Sequence, residues 1–430
     1  MGADYRIVVF TRYPVPGRSK TRLIPALGPA GAAEVQRRLT EETLAKARRF
    51  ASDSGTETEV CFDGGTSRQM RRWLGPGLIM RPQNGADLGS RMESAFDDAF
   101  REGCRRVVLH GTDIPGLSVS HLREAFSALD RHDLVLGPST DGGYWLMGLR
   151  RPVRLFEGIE WGEASVLEAT LARAAAQGLT THLLKPLTDI DTAGDLNAVL
   201  PVLEISRPYV SVIIPALNEE ENVQRCIQSA ADPDSEIIVV DGGSGDHTVP
   251  TALRAGGHVL HSRPGRGLQQ NLGADEARGV VILFLHADTI LPARYVGHVF
   301  ECLMDPRLSA GAFRFKTDFG HPLMRMIECL VNFRSRYLGL PYGDQGLFMR
   351  RNTFRSAGGF PSVPIAEDLL LVRRLASLGR VEMAKAAVIT SGRKWQQRGI
   401  ARTTVMHQMV VIGLLLGISP KTLERINRGV

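Results

Sequence analysis

Cysteine is scarce in this 430-residue chain: there are five, at positions 61, 104, 226, 302 and 329, with no CxxC spacing. An odd number without such pairs excludes a disulfide framework and a zinc knuckle. Small buried thiols in a reducing compartment are the expectation. Long apolar runs are also missing. The longest, Met409–Ile418, falls well short of the ~18 residues of a spanning helix. It reads as a buried terminal helix. The alternative is a peripheral membrane contact, because Arg402, Lys421, Arg425 and Arg428 flank it. The apolar run Ile7–Phe10 is too short for a signal-peptide core, so a cytoplasmic chain is expected, peripheral at the inner membrane face if that helix engages lipid. No Gly-x-Gly-x-x-Gly follows either apolar opening strand and no Walker A motif occurs, which disfavours a dehydrogenase and a P-loop NTPase. Charge of one sign is not dominant: 52 Lys and Arg against 46 Asp and Glu leave a net +6. That suits an anionic small ligand. No basic helix or aromatic-basic stripe points to nucleic acid, which is not expected as a partner.

What is present is an alternation of short apolar runs with helical patterns. Arg6–Phe10, Thr58–Phe62, Arg106–His110 and Asp133–Gly137 read as strands, and Gly31–Phe50 as a helix. The rhythm restarts at Tyr209–Pro215, with Ile237–Val240 and Val280–Leu285 following. Such alternation implies mostly parallel sheets flanked by helices. Two segments echo each other in order. Val107–Pro115 (VVLHGTDIP) matches Val281–Pro292 (VILFLHADTILP), and Asp141–Arg150 matches Asp344–Arg350. The reading is one α/β architecture used twice: residues 1–203, a linker at 204–208, and residues 209–430 ending in the apolar helix.

In open α/β sheets, ligands sit beyond the carboxyl ends of strands. In the second half those positions hold Asn218 and Glu219, then Asp241 before a Gly-rich turn, then Arg263 and Arg266 in a basic Gly loop that suits a phosphate. Asp288 follows the strand Val281–Leu285 and can hold Mg²⁺ or Mn²⁺. Glu367 and Asp368 precede a helical stretch, Leu369–Leu378. A carboxylate there can take a proton from an acceptor hydroxyl, or simply favour the helix N-terminus.

The ordered set PALNEE, VVDGGSGD, LHAD, GDQGLFMRR and AED resembles a GT-A glycosyltransferase of family 2, over roughly residues 209–400. The resemblance implies inverting, metal-dependent transfer from a nucleotide-diphosphate sugar to a small-molecule or lipid acceptor. By that matching, Glu219 and Asp241 contact the nucleoside, Asp288 binds the metal, and Asp368 is the base, with Glu367 as the second candidate. Arg393, with Lys394 and Trp395, stands near the family's terminal basic-aromatic motif, which clamps the diphosphate. One departure is visible: the family's Asp-x-Asp reads His286-Ala287-Asp288, so one carboxylate does the work of two, or His286 contributes.

In the first half, Arg12, Arg18, Lys20 and Arg22 crowd one Pro/Gly loop, a candidate phosphate cradle. Further candidates are Asp87, Asp113, Asp141, Asp189 and Asp191. Asp113 together with Asp189 or Asp191 is a candidate metal pair. The segments FTRYPVPGRSKTRL, LHGTDIPGL, GPSTDGGYWLMGL and TDIDTAGDL resemble a GT-A-like family related to nucleotidyltransferases, over most of residues 5–200. It implies nucleotide binding with nucleotidyl or glycosyl transfer. Together the halves resemble paired transferases linked to arsenosugar biosynthesis, here fused; relatives of the second half resemble carotenoid-acid glucosyltransferases. The expectation is a bifunctional transferase with two tandem GT-A domains. The alternatives are one active glycosyltransferase with a degenerate docking half, and a carotenoid-acid or lipid glycosyltransferase.

Overall fold

The computed structural model describes residues 4–196, 207–416, 418–420 and 422–423. The chain divides into two compact units, residues 1–205 and 206–430. The expected linker at 204–208 lies mostly outside the described residues.

The first unit is built on seven strands: β1 (Tyr5–Arg12), β2 (Glu57–Asp63), β3 (Ile79–Pro82), β4 (Arg106–His110), β5 (Leu134–Pro138), β6 (Tyr144–Leu149) and β7 (Thr181–Leu183), in the order β3-β2-β1-β4-β6-β5-β7. β1 pairs in parallel with both β2 and β4, and β6 runs antiparallel to β4 and β5. β1 is buried along nearly its whole length, as expected of a central strand covered on both faces.

The second unit repeats the plan with β8 (Val210–Ala216), β9 (Ser235–Asp241), β10 (His258–His261), β11 (Val281–Phe284), β12 (Thr289–Ile290), β13 (Leu308–Thr317), β14 (Leu347–Arg350) and β15 (Arg380–Thr390), in the order β10-β9-β8-β11-β14-β13-β15-β12. Removing the short edge strand β12 leaves the same order and the same single reversed strand, β14 in place of β6. Both units are therefore mostly parallel α/β sheets of the GT-A type, as the repeated segments predict. In each, the strand order reverses between the opening strand and the fourth, leaving a crevice at their carboxyl ends.

Several elements differ from the sequence reading. The helix expected at Gly31–Phe50 runs Ile24–Ser54, with Gly28 outside helical geometry (φ 72°, ψ 167°) ahead of Pro29. β13 and β15 are half-exposed along parts of their length and carry Lys, Arg and Glu, so no uninterrupted apolar run marks them. The terminal helix spans Ile400–Leu415, and Val405 and Met409 on it are exposed rather than buried. Four cysteines are buried as expected. Cys329 is exposed, because it lies on the outer face of the helix Pro322–Leu338.

Gly311 lies opposite Phe348 in the β13–β14 pair. A Cβ there would collide with the fully buried Phe348 ring. Gly297, in the helix Tyr295–Leu303, has open space at its Cβ position. Gly311→Ala should cost roughly 1–3 kcal/mol through overpacking, whereas Gly297→Ala should stabilise by about 0.5–1 kcal/mol. Thermal melts of the full chain check both signs.

Candidate active site

Three segments of the second unit are tied together at the carboxyl ends of β8 and β11. Thr289 and Thr390 join β12 to the end of β15, with their hydroxyls 3.0 Å apart. Ser391 N–H donates to the Asp288 carbonyl, and Thr390 Oγ1 donates to the Asp344 carbonyl at 3.0 Å. The turn before β14 is clamped by Gln345, which is fully buried. Its Oε1 accepts from Ser335 Oγ and Tyr342 N–H, and its Nε2 donates to the Phe313 carbonyl. A buried amide with these partners fixes the turn firmly, since breaking any of them would orphan a buried polar group.

These ties bring Asp288, Asp344 and Asp368 into one charged cluster. Asp368 Oδ2 accepts Gly343 N–H at 2.7 Å, one residue from Asp344. A Cβ on Gly343 would lie 3.0 Å from His286 Nε2 and 3.1 Å from Asp368 Oδ2. A side chain there would be tight against His286 and Asp368, which close around the turn. Burial, reinforced by Asp368 and Asp288, pushes the Asp344 carboxyl up to about 6, against the opposing Arg334 and Lys394 charges. Burial, with Arg266 and Lys394 nearby, holds the His286 imidazole well below its usual range, so it is neutral at pH 7. His286 Nε2 and Asp344 Oδ1 are both buried without a hydrogen-bond partner.

The remaining candidates take distinct places. Glu219 receives both short bonds from Arg393 at 2.6 Å, joining the first and last parts of the expected donor site across the sheet. Asn218 is held at φ 54°, with Oδ1 accepting Gly245 N–H and its own N–H donating to Ser244 Oγ. Among the described residues, only four non-glycine residues have positive φ, and Lys20, Asn218 and Ala366 are three of them. Such strain clusters where surrounding structure over-determines a site. Ala366 (φ 60°) precedes Glu367, and both acids stand in the first turn of the helix Glu367–Leu378, where Asp368 Oδ1 accepts Leu369 N–H at 2.7 Å. Glu367 is buried against Arg266 at 3.3 Å, and burial raises its pKa. Asp241 turns inward: its carboxylate accepts from Gly243 N–H, Ser244 N–H and Ser244 Oγ and is 3% exposed. It braces the Gly-rich turn that follows β9. Arg263 is exposed beside the basic loop. Trp395 is not a diphosphate clamp. Its ring is buried with Phe315, Met324 and Ile327, where its apolar area is removed from water.

Asp344 is not among the sequence candidates, although it stands in the GDQG segment. The signal was the paired Asp in the repeat, Asp141 and Asp344 opening matched turns. Only proximity to Asp288 distinguishes it from an ordinary turn aspartate.

The first unit has a cleft of about 620 Å³ lined by Arg12, Arg18, Lys20, Arg22, Asp113 and Asp191, among others. Asp113 and Asp191 do come together, but around an ammonium. Lys20 Nζ is 3.1 Å from Asp113 and 3.3 Å from Asp191, and donates to the Ile190 carbonyl. Lys20 is thus engaged by carboxylates rather than presented to a phosphate, because the nearest opposite charges in a nearly buried place are the two aspartates. Arg22 pairs with Asp191 and Arg12 with Asp63, while Arg18 is exposed. Asp189 lies in the same wall, its pKa raised by burial and by Asp141 and Asp191. Asp87 caps the helix Leu88–Arg101 through Ser90 N–H and is structural. Among the described residues, no group of three His, Cys, Asp or Glu side chains is arranged to hold a metal by itself.

Residues 211–356 match the glycosyl transferase family 2 model. The second unit carries a family 2 glycosyl transferase domain. Residues 44–163 match a family described as an uncharacterized protein conserved in bacteria (DUF2064), so the chain joins two family segments. Curated relatives include the glycosyltransferase AglE of Haloferax volcanii, 33% identical over 93 residues (19% of this chain, 31% of that protein). Glucosyl-3-phosphoglycerate synthase of Mycolicibacterium paratuberculosis is 35% identical over 98 residues (19% and 29%). The chain thus spans about a third of the length of the curated relatives it matches. A solved structure from Desulfovibrio desulfuricans G20, described as a candidate nucleotide-diphospho-sugar transferase, is 34% identical. The match covers 47% of this chain and 88% of that one, with a TM-score of 0.44.

The raised Asp344 pKa sets a direction for stability in the second unit. Its folded pKa of about 6 lies above the ordinary 3.8, so the folded state holds the proton more tightly. Between pH 4 and 6 the folded state binds more protons than the unfolded, and stability falls as pH rises through that window. In chelator-treated buffer the wild type should lose roughly 2–3 kcal/mol from this group between pH 4 and 7. Asp344→Asn should flatten that part of the profile and melt higher than wild type at pH 7. Melts of both proteins across pH 4–8 check it.

Proposed function

We propose that the second unit transfers a sugar from a nucleotide-diphosphate sugar to an acceptor hydroxyl with inversion. The observation that carries this is the convergence of Asp288, Asp344 and Asp368 around a neutral His286 at the carboxyl ends of parallel strands, with Arg266 and Lys394 supplying positive charge nearby. Asp368 acts as the base. Its Gly343 hydrogen bond orients the carboxylate, whereas Glu367 is buried against Arg266. The acceptor oxygen forms the bond to the anomeric carbon, its proton passes to Asp368, and the nucleoside diphosphate leaves from the opposite side. Glu219 and Arg393 form one positioned pair at the donor end, so Arg393 can exchange a carboxylate for a phosphate oxygen without travelling far.

The donor set also fits a divalent cation. Crowded carboxylates, a buried Asp344 oxygen without a partner and an oxygen-rich surrounding suit Mg²⁺ or Mn²⁺. Asp288 and Asp344 would hold it. Two carboxylates suffice for Mg²⁺ when substrate phosphates complete the shell. The cation would supply charge neutralisation for the departing diphosphate. This reading replaces the missing first Asp of the family's pair with Asp344, not with a second role for Asp288.

The first unit's cleft, with Arg12, Arg18 and Arg22 on its wall, supports nucleotide binding there, with nucleotidyl or glycosyl transfer as its chemistry. A nucleotide entering it must draw Lys20 from Asp113 and Asp191.

A thermal-shift panel of UDP- and GDP-sugars on the full chain, with and without Mn²⁺, should give a Mn²⁺-dependent stabilisation for one donor. Asp288→Asn should lose the Mn²⁺-dependent part. Asp368→Asn should keep donor binding while turnover falls by about 100-fold or more. Wild-type turnover in Asp368→Asn would remove it as the base.

A further inference from the structure

The helix Pro322–Leu338 buries one face and leaves the other without a partner. Met324 and Ile327 pack with Phe315 and Trp395, while Val331 joins the same cluster with Ile400. The outer face shows Leu323, Met326, Leu330, Phe333 and Tyr337, each at least half exposed, with Phe333 at 61%. Their spacing of 3, 4, 3 and 4 residues makes one continuous apolar stripe along the helix. Scattered exposed apolar residues need no explanation, but a stripe of this length does.

The charges beside the stripe identify what covers it. Arg325, Arg334 and Arg336 are the helix's cations, and Glu328 is its one acid. Glu328 is turned inward, where it accepts from Thr317 N–H and Oγ1 and from Arg325. Arg325 is thereby paired with that acid and Arg334 is folded over Tyr342, so Arg336 is the exposed cation beside the stripe, and the helix shows no exposed acid. Heptad-like spacing alone would suit a second copy of the helix, but pairing two copies needs acidic residues to meet the arginines at the flanking positions. Those positions hold Cys329, Arg334 and Arg336. Phenylalanine, tyrosine, leucine and methionine on one face with arginine at the rim is the composition of a helix lying in an anionic lipid interface.

The helix is also joined to the carboxylate cluster. Arg334 stacks over the Tyr342 ring at 3.5 Å, and its Nε donates to the Leu340 carbonyl. Tyr342 and Leu340 in turn pack with Val410 of the terminal helix and Leu369 beside Asp368. Exposed Val405 and Met409 extend apolar surface onto that terminal helix.

We infer that the outer face of Pro322–Leu338 docks the second unit on an anionic membrane surface, with its cluster of carboxylates opening toward a lipid-borne acceptor. The acceptor part rests on the glycosyl transfer proposed above; the docking does not. The surface differs from the sequence expectation, which placed membrane contact on the C-terminal helix alone.

The test uses the full chain with vesicles of phosphatidylcholine alone and of phosphatidylcholine with phosphatidylglycerol. Cosedimentation should occur with the anionic vesicles, weaken as salt rises, and fall about tenfold or more in Leu330→Glu/Phe333→Glu, because both side chains leave the apolar phase. Both positions are exposed, and an unchanged melting temperature confirms that the double variant folds. Phe333→Trp adds a direct probe: its emission should shift to the blue on adding anionic vesicles. An unshifted emission with both vesicle types would overturn the docking, as would concentration-dependent dimerisation that the double variant abolishes without any vesicle binding. Donor-induced thermal stabilisation is read separately without lipid. Vesicle binding without donor binding would retain the docking and sink the glycosyl transfer, and the converse would do the reverse.

Discussion

Three carboxylates are held close together at one end of the second sheet, against their mutual repulsion. The cost is visible in Asp344, whose proton is retained to about pH 6. The structure holds the arrangement with backbone groups and buried side chains. Gly343 N–H fixes Asp368, the Gln345 amide fixes the turn, and paired threonines lock the end of β15 beside Asp288. Each is a backbone group or a buried side chain, and Arg334 and Lys394 oppose part of the remaining negative charge. A site prepared this way gains most from a ligand that brings positive charge, and least from one that does not.

The first unit answers the same problem differently. Its strand order is the same apart from the added edge strand β12, and the aspartate after β4, Asp113, occupies the place that Asp288 takes after β11. There an ammonium, Lys20, sits between Asp113 and Asp191. The two units share geometry but differ in where the neutralising charge comes from. The buried histidines at the ends of β4 and β11 follow the same pattern. Burial pushes His110 down to about 4 and places His286 well below the usual range. Neither is a cation near pH 7, so neither screens the adjacent aspartate.

The helix Pro322–Leu338 connects to the same charges. Arg334 lies at the stripe's edge and also stacks on Tyr342, beside the Asp344 turn. One residue therefore belongs to the rim of the outer face and to the electrostatic surroundings of the cluster, where it opposes the rise in the Asp344 pKa. A single guanidinium thus links the helix to the carboxylates.

The sequence by itself determined the strands that carry buried, β-branched runs, because burial on both faces demands them: β1, β4, β8 and β11 are legible in this way. It also determined the duplication, since matched strand-His-Asp-Pro segments recur in order, and the candidates Asp288 and Asp368, which sit directly after strand or before helix. Tertiary structure decided the rest. β13 and β15 mix exposed charge with buried positions, so local pattern does not mark them. Asp344 becomes a site residue only when β14 runs back antiparallel beside β11 and delivers its turn to Asp288. Lys20, read as a phosphate ligand, lies between carboxylates because Asp191, 171 positions away, meets it. Trp395 leaves the site for the core because the helix Pro322–Leu338 covers it. In each case the deciding quantity is a distance or a loss of solvent between groups far apart in the chain, and no spacing along the sequence encodes that.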